Sequence, residues 1–115
     1  MSAQLRLRSG AARLVWPAGE AAGAIVLLGD PPESLCRALA DTLGAVVLGV
    51  AAADGVAALE WAADHAAELG ADAGRLILAG VHEEAAAVAE LAARSRAHGW
   101  PPIACQFLVV GRLSG

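Results

Sequence analysis

Arg75-Leu76-Ile77-Leu78-Ala79-Gly80-Val81-His82-Glu83-Glu84-Ala85 reads as a buried strand, a sharp turn and the start of a helix. The apolar run Leu76–Ala79 shows no polar alternation, which suits a strand covered on both faces of a sheet. Gly80 follows it, and two glutamates then fall in a first helical turn, where negative charge complements the helix dipole. The periodicity beyond Ala85 continues as a helix to about His98, closed by Gly99.

The same unit recurs on the N-terminal side: apolar strand, glycine, helix, glycine, next strand. Ala24–Leu28 leads through Gly29 to a helix over about Pro31 to Leu43, closed by Gly44. Ala45–Leu48 leads to a helix from about Asp54 to Leu69, closed by Gly70, and Ala104–Val110 is the last strand. Each glycine after a helix suits the left-handed C′ position, where a side chain would clash. Asp30-Pro31-Pro32-Glu33 offers an N-cap aspartate, prolines in a first turn that needs no amide hydrogens, and a glutamate at N3. Asp54 is a plausible cap for the second helix.

Continuous apolar strands alternating with helices imply a parallel sheet covered on both faces, joined by right-handed crossovers. Gln4–Arg8 and Ala12–Trp16 alternate and are separated by Ser9-Gly10, which suits an antiparallel hairpin on one sheet edge. Ala18–Gly23 reads as an exposed loop. The expected architecture is therefore α/β: a three-layer α/β/α domain spanning residues 1–115, with a mostly parallel sheet and an N-terminal hairpin.

At 115 residues, 57% of them hydrophobic and with mean hydropathy +0.56, the chain is large enough for one core. Much of the apolar excess is alanine, which forms helices but buries little area. No apolar run approaches the roughly 20 residues of a spanning helix, and Met1–Gly10 leads into no signal-peptide core. The protein is read as cytoplasmic, without a membrane partner. A net charge of −4 and pI near 5.2, with scattered arginines and no lysine, argue against a nucleic-acid partner. Cys36 and Cys105 stand in no metal or redox spacing and read as reduced core thiols.

With the Gly80–Glu84 turn placed on its strand, several segments resemble the esterase/lipase branch of the α/β-hydrolases, the group related to hormone-sensitive lipase. Leu14-Val15-Trp16-Pro17-Ala18-Gly19 resembles the strand running into an R-P-A-G-like turn. Ala24–Leu28 resembles the strand before the oxyanion loop. Leu35–Ala40 with Gly44–Leu48 resembles the first helix and its following strand. Ala57–Ala62 through Leu69–Arg75 resembles the approach to the nucleophile strand, and Pro101–Gln106 the approach to the next strand.

The resemblance implies half of an α/β-hydrolase fold, truncated after the strand that follows the nucleophile elbow. In the G-x-S-x-G elbow a serine sits at the tip of a strained strand-to-helix turn. Here Gly80 stands at the first glycine, His82 at the serine and Glu84 at the second glycine. Gly29-Asp30-Pro31-Pro32 replaces the H-G-G-G oxyanion loop, and proline can supply no amide hydrogen. Val50-Ala51-Ala52-Ala53 replaces a Y-R-L-A-P-E stretch. No aspartate follows Asp72, so the sequence as it stands offers no counterpart of the later acid and histidine of a triad.

The candidate site is His82-Glu83-Glu84, with His82 as general base or metal ligand at the strand ends. The plainer reading is a relaxed turn, because histidine tolerates positive φ and the glutamates serve the dipole. Asp64, His65 and Glu68 have a spacing that could hold one edge of a metal site, but no second cluster completes it. His98 suits a C-terminal dipole role. Trp61 and Trp100 suit either core or interface. No G-x-G-x-x-G or Walker loop is present, so no cofactor is expected.

In the family the counterpart of Ala104–Val110 is interior. Here Phe107, Leu108, Val109 and Val110 would form an open apolar edge without lysine or proline to protect it. The expectation is a non-catalytic binding or assembly module, a homodimer through this strand. The alternatives are a weak esterase or ligand site using His82 with Glu83 or Glu84, completed by a partner chain, and a fragment whose complementing hydrolase-like chain docks on the same edge.

Overall fold

The computed structural model describes residues 2–7, 10–71 and 75–109. Six strands form one sheet: β1 (Ser2–Arg6), β2 (Ala11–Val15), β3 (Gly23–Leu28), β4 (Ala45–Val50), β5 (Leu76–Val81) and β6 (Cys105–Val109). Their spatial order is β1-β2-β4-β3-β5-β6. β4, β3, β5 and β6 run parallel, and the β1–β2 hairpin joins antiparallel through β2 and β4. Three helices cover the sheet: α1 (Glu33–Leu43), α2 (Gly55–His65) and α3 (Ala85–His98).

The two-residue period of the strands sorts the core. Val26, Leu28, Leu48, Leu76 and Leu78 face α2 and α3, meeting Ala58, Leu59, Val88 and Leu91. Ile25, Leu27, Val47 and Ala79 face the other way, meeting Cys36 and Ala40 of α1. The three-layer architecture and the edge hairpin are thus as the sequence implied. Gly44, Gly70 and Gly99 take φ of 62°, 81° and 72°, the left-handed caps expected of them.

Several details differ. α1 starts at Glu33 rather than Pro31, and Asp30 does not cap it. Asp30 instead stands at φ 53°, and the Pro32 carbonyl accepts from the amides of Leu35 and Cys36. Pro31, preceding a proline, is disfavoured in the helical region, and Pro32 is the extended residue before the helix, at ψ 158°. The second helix is broken into a 3-10 turn, Ala52–Asp54, then α2, then a second 3-10 turn, Ala67–Leu69. Glu68 therefore lies off α2. The His65 ring stacks on Trp61 at 4.4 Å and its Nδ1 bonds the Trp61 carbonyl at 2.8 Å. Among the described residues no group of three or more His, Cys, Asp or Glu could hold a metal.

Cys36 is a core thiol, and burial pushes its pKa up. Cys105 is not: it is exposed on β6, and among the described residues no helix buries it. Trp61 packs against the core, whereas Trp100 is 44% exposed. No helix among the described residues is long and apolar enough to cross a membrane.

Candidate functional site

β3 and β5 are neighbours, with Leu28 opposite Gly80, yet the chain leaves β3 towards β4 on one side and reaches β5 on the other. The crevice beyond their C-terminal ends is thus the switch point at which open α/β sheets bind ligands. Two segments border it: Gly29–Pro32 after β3 and His82–Glu84 after β5.

The first segment turns inward. Gly29, at φ 116°, and Asp30 both direct their amides at one acceptor, the Val50 carbonyl, at 2.9 and 2.8 Å. Pro31 and Pro32 have no amide hydrogen. Pro31 is buried, and its ring lies so near Gly49 that a Cβ there would stand 2.9 Å from Pro31 Cγ. Every backbone nitrogen of this loop is therefore either committed to β4 or without a hydrogen. An oxyanion hole needs donors aimed at the reacting oxygen, and this loop aims none outward.

The second segment has lost its strain. Val81 is extended, at φ −68° and ψ 159°, and His82–Glu84 forms one 3-10 turn running into α3. Among the described non-glycine residues only Asp30 has positive φ, so His82 does not occupy a strained elbow conformation. His82 and Glu83 are exposed and Glu84 is half-buried. The three candidate residues do share one turn at the strand ends. His82 has no hydrogen bond to either glutamate, so nothing in the turn orients the ring as a base requires.

Glu84 packs between the β5 strand end and the β3 loop. A Cβ on Gly80 would stand 2.5 Å from Val88 Cγ2 and 3.4 Å from Glu84 Cβ, so the strand and helix are in close contact there. The Glu84 side chain then lies over the crevice: a Cβ on Gly29 would meet Val81 Cγ2 at 2.5 Å and Glu84 Cγ at 3.1 Å. Val81 and Glu84 thus close the space beside the β3 loop. The roles of the Val50 carbonyl and of Val81 escaped the sequence reading, and only the glycine at position 29 hinted at a close approach.

The predicted interface residues Phe107, Leu108 and Val109 lie on β6, and Val110 falls outside the described residues. Among the described strands β6 is at one end of the sheet, paired only with β5. Phe107 and Val109 join the α1-side cluster while Leu108 faces the α2 and α3 side.

A mixed sheet with this order, a strand–turn–helix after β5 and a loop after β3 at the switch point defines part of an α/β-hydrolase fold. Comparison with known proteins narrows the class. No family model matches the chain. Esterase LipI of Mycobacterium tuberculosis is 34% identical over 91 residues, covering 69% of this chain and 28% of that esterase. The Pyrobaculum calidifontis esterase superposes with a TM-score of 0.78 at 26% identity, over 92% of this chain and 43% of its own. A bacterial heroin esterase does so with a TM-score of 0.74 at 24% identity, over 94% and 43%. The chain has part of an α/β-hydrolase fold, the relatives it resembles are esterases of the hormone-sensitive-lipase-like group, and it spans less than half the length of these relatives.

Proposed function

We propose that this chain acts as a non-catalytic binding or assembly module of hydrolase-like fold and pairs with a second copy through β6. The observation that carries the first half is the pair of hydrogen bonds that the Gly29 and Asp30 amides donate to the Val50 carbonyl, which leaves the β3 loop no outward donor. The relaxed conformation at His82 supports the same reading. Restoring the elbow therefore restores no chemistry. The double substitution His82→Ser with Glu84→Gly is expected to hydrolyse p-nitrophenyl acetate no faster than the unaltered protein. A gain of tenfold or more in kcat/KM would show that the loop can supply an oxyanion donor, and would reject the non-catalytic reading.

Pairing through β6 is supported by its edge position and by the apolar run Phe107-Leu108-Val109, which no lysine or proline interrupts. An antiparallel two-fold pair would place a second β6 beside the end of the described sheet. Native mass spectrometry of the protein from its own host tests this: a two-fold mass is expected. Gln106→Lys with Val109→Lys should return it to monomer at the same concentration. A monomeric parent protein would end the pairing argument.

A second reading is favoured by the placement of His82, Glu83 and Glu84 together in one turn at the strand ends. In it a complementing hydrolase-like chain docks on β6 and completes a site with His82 and Glu83 or Glu84. A heterologous mass in the same experiment would select it.

A further inference from the structure

The crevice at the switch point is closed, but a second concavity lies on the other side of the β3 and β4 strand ends. A groove of about 360 Å³ runs between the first turn of α2 and the middle of α3. Its volume falls at the lower end of the roughly 300–1,000 Å³ typical of small-ligand sites. Leu28, Val56 and Leu91 give it an apolar floor, and Ala52, Ala53 and Ala87 keep its walls low. At Gly55 a Cβ would stand 2.9 Å from Leu91 Cδ2 and 3.1 Å from Leu28 Cδ2, so the two leucine tips pack closely against the start of α2.

Two charged side chains border this apolar trough, Glu90 and Arg94, one turn apart on α3. Arg94 is exposed, and its guanidinium has no hydrogen bond or ion pair with another described residue. The facing wall is the start of α2, at Gly55 and Val56. We infer that the groove binds a small anionic amphiphile, a short aliphatic chain carrying a carboxylate, with the chain on Leu28, Val56 and Leu91 and the carboxylate on Arg94. A planar guanidinium can hold a carboxylate through two parallel hydrogen bonds, which an amine or an alcohol headgroup cannot exploit. Glu90 opposes the same ligand, so the two rim residues act with opposite sign.

This inference rests on the binding-module reading but not on pairing through β6, and its test is independent of mass. Octanoate titrated into the labelled full chain should shift the backbone amide resonances of residues 52–56 and 87–94. Arg94→Gln should weaken octanoate at least tenfold, and Glu90→Gln should tighten it several-fold. Ala87→Phe should abolish binding by filling the trough, with unchanged circular dichroism. Octylammonium should bind at least tenfold more weakly than octanoate. Shifts absent at millimolar octanoate, shifts centred elsewhere, or equal binding of octylammonium would each overturn the assignment.

Discussion

Leu27→Ala is expected to lower the unfolding free energy by about 2–5 kcal/mol, towards the upper end of that range. Leu27 is fully buried at the centre of the sheet, on the face covered by α1. Its register partners are Gly49 on β4 and Ala79 on β5, so neither neighbouring strand sets a large side chain beside it. Neither partner has atoms to move into the space its loss would leave, and Cys36 and Pro31 are already pressed against Gly49. The cavity therefore persists, which is the condition for a large penalty. Ile25→Val on the same face should cost only about 0.5–1.5 kcal/mol. Urea unfolding checks both: the midpoint should fall with an unchanged slope. A Leu27→Ala loss below that of Ile25→Val would mean the sheet collapses into the gap.

Gly29→Ala is expected to cost about 2–6 kcal/mol through two separable effects. A φ of 116° is a glycine conformation, and a side chain there carries about 1–3 kcal/mol of backbone strain. The added methyl would also meet Val81 Cγ2 at 2.5 Å and Glu84 Cγ at 3.1 Å, an overpacking of typically 1–3 kcal/mol. Val81→Ala in the Gly29→Ala background should recover the packing part and leave the backbone part. A double-mutant cycle by urea denaturation measures the coupling. Coupling near zero would mean that Val81 and Glu84 do not close the crevice as described.

The repeated strand–helix unit was legible because each of its parts is local. Uninterrupted apolar runs such as Leu76–Ala79 mark buried strands, and Gly44, Gly70 and Gly99 mark helix ends through a conformation few other residues take. The position of His82, Glu83 and Glu84 at the strand ends followed from the same local pattern. What could not be read was non-local. That Gly29 and Asp30 spend their amides on Val50 depends on a strand some twenty residues further along the chain, with no residue type announcing it. Asp30-Pro31-Pro32-Glu33 looked like a capping sequence because its composition is one, and the outcome was decided by where the first amides found an acceptor. Cys105 was misplaced for a related reason. A cysteine in an apolar strand is buried only if something lies above it, and sequence alone does not say which part of a sheet a helix reaches.

The strand order also sets the order in which the chain can close on itself. The hairpin β1–β2 and the unit β3–α1–β4 bring near neighbours together, so each forms at a modest loop-closure cost. The contact between β3 and β5, by contrast, must wait for the whole of α1, β4 and α2 to be in place, and it is the pairing within the sheet most distant in sequence. The seam that carries Gly29, Val81 and Glu84 is thus the late-forming one, and a protein dominated by such distant pairings folds slowly for its size. Until that seam closes, one edge of β3 is unpaired, and the newly made chain presents the backbone of an apolar strand to solvent and to other chains.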